Sequence, residues 1–277
     1  LAADAGVPPY RFTKQDEEKE NRWSIYKNIL NKYANFCYDE LISGKYSEVN
    51  EYLNKRKITK KEITSFKIGY CPKNNNFYDV LKKEFDEKQI ISSGIYYFDE
   101  NKKKYVDRFR ERITFPVRSL NGAVIAFGGR TLSKTNFAKY INSPETEFYK
   151  KGNNLYNINL VKDLRNKKED VFIVEGYMDV ISLFKFGVEN VVANLGTAMT
   201  ERQLDLIWKF FKNPIICFDG DISGKKAALR VAERLFPLMK ADYNIYFLTL
   251  PENLDPDSYI NQKGKELFLQ FSNNKIE

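Results

Sequence analysis

Four short apolar runs in the second half of the chain, at 171–175, 191–195, 215–219 and 245–250, constrain its fold more than any other feature. The first three are each followed by a stretch of helical character, at about 177–186, 200–212 and 223–240. Continuously apolar strands are buried on both faces, and strands alternating with helices pack as a parallel sheet covered by helices. The class expected for this half is therefore α/β. Upstream the pattern differs. Residues 13–42 read as one amphipathic helix, with Trp23, Tyr26, Ile29, Leu30, Tyr33, Ala34 and Cys37 at helical spacing. Shorter helices are predicted at about 47–56, 60–67 and 77–87, the second opened by a capping box of Thr59 and Glu62. From about 94 to 130 the texture is that of short strands, with Gly94, Asn121-Gly122 and Gly128-Gly129 as turn signals. Asn121-Gly122 between the runs 113–117 and 124–127 predicts a hairpin. The change of texture near residue 150 predicts two domains, a mixed α/β subdomain over 1–150 and an α/β domain over 151–277.

Composition removes whole classes of chemistry. There is no histidine among the 277 residues, so Ser-His-Asp and Cys-His hydrolysis and any imidazole base are excluded. The three cysteines, Cys37, Cys71 and Cys217, form no CxxC pair and cannot complete a four-thiolate site, so no zinc is expected in this chain. Three free thiols fit a reducing cytoplasm. The apolar runs are strand-length, far short of the ~20 residues that span a bilayer. The start, Leu1 to Gly6, lacks a basic region followed by an apolar one, so neither membrane insertion nor a signal peptide is expected. The net charge of +8 suits a polyanionic partner, although a solvated lysine-rich face has the same composition.

The remaining chemistry falls to carboxylates. Glu175 stands at the carboxyl end of the first run and Asp179 four residues later; Asp219 and Asp221 end the third; Asp255-Pro256-Asp257 follow the fourth. In an open α/β sheet these strand ends converge on one ligand-binding edge. Each motif also has a plainer reading. Asp179 can be a first-turn acid favoured by a helix dipole, Asp221 or Ser223 a helix cap, and Asp255-Pro256 a helix start with proline at its first position. Two carboxylates ~4 Å apart repel by roughly 4 kcal/mol at an effective dielectric near 20, so a cluster of them calls for protons or hard cations. Oxygen-only ligands point to Mg²⁺, with Mn²⁺ as a substitute, and to nucleotidyl transfer.

These acids in their β/α context resemble the Toprim domain, which serves primases, topoisomerases and nucleases alike. Upstream, Arg108-Phe109-Arg110-Glu111-Arg112-Ile113-Thr114-Phe115-Pro116-Val117, Val124 to Arg130, Lys139-Tyr140-Ile141-Asn142-Ser143-Pro144-Glu145-Thr146 and Lys151 to Tyr156 resemble the bacterial DnaG-type primase family. Tyr52 to Arg56, Phe66 to Tyr70 and Leu195-Gly196-Thr197-Ala198 extend the likeness in the family's order. The resemblance implies a Toprim domain with a mainly parallel sheet flanked by helices, beside an N-terminal mixed α/β subdomain carrying a basic groove. It implies template-directed synthesis of RNA primers from nucleoside triphosphates (NTPs) on single-stranded DNA, leaving an RNA–DNA hybrid, with a Toprim nuclease or a non-catalytic nucleic-acid-binding module as alternatives. Glu175 would be the catalytic acid, Asp219, Asp221 and Asp257 metal ligands, and Asp179 and Asp255 their support. Arg56, Arg130, Lys139 and Lys151 match basic positions along the template and nucleotide cleft. Arg110 joins them on its own chemistry, since Arg108, Arg110 and Arg112 alternate and on a strand would share one face. Nothing here resembles the family's zinc-binding domain or its carboxy-terminal helicase-binding domain, so an excised core is expected. The intact protein would work with the replicative helicase at the fork, in the cytoplasm.

Overall fold

The computed structural model describes residues 13–133, 138–167, 170–195, 199–251 and 254–277. The amino-terminal residues 1–12 and the motif residues Gly196, Thr197 and Ala198 lie outside them. The long first helix, α1 (Lys14–Ile42), begins where Thr13 and Asp16 cap each other's backbone N–H. It buries Tyr26, Ile29, Leu30, Tyr33, Ala34 and Cys37, the face its spacing predicts. Next come α2 (Ser47–Lys55), α3 (Lys60–Phe66), which Thr59 and Glu62 cap reciprocally, β1 (Gly69–Cys71), α4 (Phe77–Lys82) and α5 (Glu87–Ser92). The single helix predicted at 77–87 is thus two. The Asp86 backbone N–H bonds Gln89 at 2.9 Å in a capping box that starts a new helix.

Strands β2 (Tyr96–Asp99) and β3 (Lys104–Asp107) form a separate hairpin. Strands β4 (Arg112–Arg118), β5 (Val124–Thr131) and β6 (Tyr140–Asn142) join β1 in an antiparallel sheet of order β1-β4-β5-β6. The Asn121-Gly122 turn joins β4 to β5 as predicted, with Gly122 at φ +83°. Gly128-Gly129 is not a turn; both residues sit inside β5. A Cβ at Gly128 would run into the Tyr177 ring, and one at Gly129 would lie 2.6 Å from Phe109. Nor do Arg108, Arg110 and Arg112 share a strand face. The chain turns between β3 and β4, with Glu111 at φ +56°, and the three guanidiniums diverge. Arg108 donates to the Gly94 carbonyl at 3.0 Å, Arg110 to the Tyr97 hydroxyl at 3.1 Å and Arg112 to the Ala138 carbonyl at 3.0 Å.

After α6 (Ile158–Val161) comes the parallel sheet: β7 (Asp170–Val174), β8 (Val191–Ala193), β9 (Asn213–Phe218) and β10 (Tyr246–Thr249), in the order β10-β9-β7-β8. All its pairings are parallel. Helix α7 (Tyr177–Lys185) follows β7, α8 (Glu201–Trp208) follows β8, α9 (Ile222–Leu235) follows β9 and α10 (Pro256–Phe271) follows β10. This is the α/β arrangement the apolar runs predict. Helix α9 stops short of the predicted residue 240, because Pro237 cannot continue the backbone bonding and a 3₁₀ turn takes over.

The two sheets are not separate bodies. One apolar cluster runs from Phe66, Phe115 and Val117 through Tyr156 and Tyr177 to Phe172 and Phe268. Two smaller cores flank it. Trp23 packs on the one beneath α1, and Trp208 is buried in the one beneath α8. Among the described residues no helix is long and apolar enough to cross a membrane.

Candidate active site

A crevice of about 290 Å³ opens at the carboxyl edge of the parallel sheet, where the α1-side sheet meets it. Glu175, Asp179, Asp219, Asp255 and Asp257 line it together with Arg56, Arg130 and Lys139. Each acid is placed by a strand end or a helix start. Glu175 follows the last residue of β7, and Asp219 the last residue of β9. Asp179 is the third residue of α7; one of its oxygens accepts the Gly176 N–H at 3.1 Å and the other the Asp257 N–H at 3.3 Å. Asp221 caps α9 through the Gly224 N–H at 2.6 Å, and Asp255 caps α10 through the Ser258 N–H at 2.6 Å. The capping and clustering readings of these acids therefore hold together, since a helix N-terminus offers N–H donors and partial positive charge to the acid that starts it.

The acids differ in how they are satisfied. Asp257 is buried, and its carboxylate receives Arg56, the Ser182 hydroxyl and the Asn261 amide. Glu175 and Asp219 make no hydrogen bond or salt bridge with the described residues. Burial, then the charge of Asp221, raises the Glu175 pKa above the usual carboxylate range. Asp219 is pushed up to about 6, first by burial and then by the charges of Glu175, Asp255 and Asp221. Asp179 is raised well above its ordinary value by burial and then by Asp255 and Asp219. This corner of the molecule holds more negative charge than its own side chains neutralise.

The basic wall is ordered by two tyrosines. The Arg130 guanidinium lies 4.3 Å from the Tyr52 ring centre and 5.3 Å from that of Tyr140, and it donates to the Tyr140 hydroxyl at 2.7 Å. Arg56 faces the same Tyr52 ring at 5.7 Å. Stacking of this kind holds a guanidinium flat and leaves its outer N–H groups presented. The buried Nε of Arg130 has no partner among the described residues. Lys139 is exposed at the rim. Lys185 braces the wall from behind, donating to the Arg56 carbonyl at 3.0 Å and to Asn261 at 2.9 Å.

Of the residues singled out from sequence, the structure gathers eight here: Arg56, Arg130, Lys139, Glu175, Asp179, Asp219, Asp255 and Asp257. Asp221 stands just outside the crevice lining, close enough for its charge to act on Glu175 and Asp219. Lys151 lies half-buried on a 3₁₀ turn, its pKa lowered by burial, and Arg110 lines a different cavity. Tyr52, Tyr140, Ser182, Lys185 and Asn261 were not predicted as site residues. The four-residue spacing of Tyr52 in α2 and Arg56, the residue that caps its carboxyl end, was the available signal for the first of them. Phe148 and Tyr149 belong to the packing: Phe148 tilts against Trp23 and Tyr26, and Tyr149 is buried.

Known proteins match the chain along most of its length. Residues 36–162 match the family described as DNA primase catalytic core, N-terminal domain, and residues 172–260 match a Toprim-like family. The DNA primase of Pasteurella multocida is 38% identical over 268 residues, covering 95% of this chain and 44% of that protein. The DNA primase of Escherichia coli K12 is 34% identical, covering 91% of this chain and 43% of its own length. The chain thus spans less than half of these curated relatives. Among solved structures, a DnaG primase catalytic domain bound to ssDNA superposes with a TM-score of 0.84 at 32% identity, covering 93% of this chain and 83% of that one. A DNA primase domain from Pseudomonas aeruginosa gives 0.83 at 35% identity, covering 90% and 78%. With two successive family matches, and a solved catalytic domain aligned along most of its length, the chain belongs to the DNA primase catalytic-core family.

Proposed function

We propose that the chain carries the polymerising site of a DNA primase: it joins NTPs into short RNA primers on single-stranded DNA. The observation that carries this is the presence, in one crevice, of Glu175 and Asp219, which have no neutralising partner, together with the Arg56 and Arg130 guanidiniums that both face the Tyr52 ring. A divalent cation fits the acid side on its donor chemistry. The donors are all oxygens, and the raised pKa values of Glu175 and Asp219 mark charge that a cation would relieve. Among the described residues no three acidic or thiol groups close around a single point. Mg²⁺ needs only one or two carboxylates, leaving its other positions to water and phosphate oxygens. Asp219 and Asp221 would hold it, with Asp179 and Asp255 as supports; Glu175 is left for proton transfer, and Asp257 is committed to Arg56 and acts by fixing the wall. When bound, the cation supplies neutralisation of the phosphate charge that builds up as the bond to pyrophosphate breaks.

The chain's own residues do the rest. Arg130 and Lys139 draw in the triphosphate and hold it against the acids. Glu175, with its raised proton affinity, accepts the proton of the attacking 3′-hydroxyl. A positive wall beside a negative corner orients a polyanion without burying its charge unpaired. The reading also assigns residues 1–150 to the template-holding subdomain, 151–277 to the Toprim domain, the cytoplasm and the replication fork as the place of work, and the replicative helicase as partner of the full-length protein. The test supplies a template oligonucleotide, four NTPs and Mg²⁺. Primers should appear, and Glu175→Gln should lower their rate by about 10²-fold or more while leaving template binding within about twofold. Cutting of the template without primer synthesis would sink this reading in favour of a nuclease.

A further inference from the structure

The backbone and the guanidinium of Arg56 are held by different elements, and the two holds close into a ring. Arg56 is the carboxyl cap of α2, where its N–H donates to the Tyr52 carbonyl at 3.1 Å. Lys185, the last residue of α7, reaches across to that cap and donates to the Arg56 carbonyl at 3.0 Å. Its ammonium also donates to Asn261 Oδ1 at 2.9 Å. An ammonium has donors only, so it fixes which way the Asn261 amide points. The Asn261 NH₂ is thereby turned to Asp257, four residues earlier on α10. It donates to the Asp257 carbonyl at 2.7 Å and to the carboxylate at 2.8 Å. That carboxylate accepts the Arg56 guanidinium, which returns the chain of contacts to its start. Ser182, three residues before Lys185 on α7, donates to the same carboxylate.

Each link is placed to act on Arg56. A cation at the carboxyl end of a helix meets the partial negative charge of its unpaired carbonyls, so Lys185 steadies the end of α2 that presents Arg56. Asp257 is buried, and its charge is sustained there by the donors that Arg56, Ser182 and Asn261 supply. The guanidinium faces the Tyr52 ring at 5.7 Å and lines the acidic crevice with Arg130. An arginine clamped at its backbone and at one nitrogen has little freedom left to lose when a phosphate binds. Lys185 itself does not line the crevice.

We propose that Lys185 is a positioning residue: through the α2 cap, Asn261 and Asp257 it holds Arg56 ready for a substrate phosphate in the crevice. The proposal rests on the primase reading for the source of that phosphate, either the incoming nucleotide or the template strand. The test uses the whole chain with Mg²⁺ and two probes, ribose-labelled ATP and a labelled oligothymidylate, read by fluorescence anisotropy. Lys185→Met keeps the aliphatic stem and removes the ammonium. It should weaken binding of at least one probe about fivefold, while kcat for primer synthesis at saturating substrates stays within about twofold. Lys185→Arg, which can donate to both oxygens, should recover most of the affinity. Asn261→Leu, which opens the ring at another link, should weaken the same probe by a like amount. In an Arg56→Gln background, adding Lys185→Met should change nothing further, because the two residues act as one unit. The probe that weakens tells nucleotide from strand.

Parent-like binding of both probes by Lys185→Met would overturn the proposal, even with a lowered Tm, because the ring would then serve stability alone. Equal weakening by Lys185→Met with and without the Arg56 side chain would overturn it too, as would a Lys185→Arg variant as weak as Lys185→Met. A fall in kcat with both affinities kept would put Lys185 in the chemical step, against the proposal. A parent that binds the probes, loses affinity on Lys185→Met and makes no primers would keep the positioning role and sink only the catalytic assignment. A parent that binds neither probe would sink both.

Discussion

Asp219 and Asp257 are both acids beside a helix start, and the fold satisfies them in opposite ways. Arg56 neutralises Asp257, whereas Asp219 is left to repel its neighbours. A carboxyl whose folded pKa is raised holds its proton more tightly in the native state than in the unfolded one. Its contribution to stability is therefore fully present below its ordinary value of 3.8 and is lost as pH rises through about 6. A divalent cation competes with that proton and relieves the same repulsion. Saturating Mn²⁺ should accordingly raise Tm by several degrees at pH 7.5 and much less at pH 5, and Asp219→Asn should shrink the difference. Thermal melts at the two pH values, with and without the ion, decide this. An equal Mn²⁺ shift at both values would count against it. The identity of the acids was legible in the sequence, because each sits at a strand end. Which acid would be free was not. Asp257 is satisfied by Arg56, 201 residues away, and Ser182, 75 residues away, and no local pattern encodes such contacts.

At the scale of elements, the parallel strands and α1 could be read because burial writes itself into sequence as periodicity. Glycine was harder, since two physical needs select it. Gly122 needs its left-handed backbone, with nothing within 4 Å of where a Cβ would sit. Gly128 needs its empty side, because Tyr177 fills it. Tyr177 opens the helix after Glu175, stacks on Phe115 at 5.0 Å and bonds Asn142. An alanine at 128 would gain about 0.5–1 kcal/mol by restricting the unfolded chain, but overpacking against a buried ring costs ~1–3 kcal/mol, so the loss wins. Gly128→Ala should lower the urea midpoint and, by shifting Tyr177, also reduce primer synthesis. Gly122→Ala should lose about 1–2 kcal/mol through its backbone while leaving synthesis per folded molecule unchanged. The arginine triplet misled because alternation signals a shared face only on a strand, and Arg108 and Arg110 lie in the turn between β3 and β4, which Glu111 completes at positive φ.

At the scale of the molecule, one apolar cluster joins the antiparallel and parallel sheets, and the ion pair of Arg56 with Asp257 crosses the same boundary above it. Truncating Arg56 would leave the buried Asp257 carboxylate without its counter-charge, so the active crevice and the cohesion of the two halves depend on the same contact. The division of labour proposed for residues 1–150 and 151–277 is therefore one of chemistry, within a structure that shares its core.

The chain has only two tryptophans, Trp23, partly buried against the core beneath α1 and against the shared cluster, and Trp208, buried in the core beneath α8. Each half thus carries its own intrinsic fluorophore. Trp23→Phe and Trp208→Phe should give single-emitter proteins whose urea unfolding curves coincide, because the shared cluster makes the halves come apart together. Two separated transitions would instead show a hinge where the packing describes a joint.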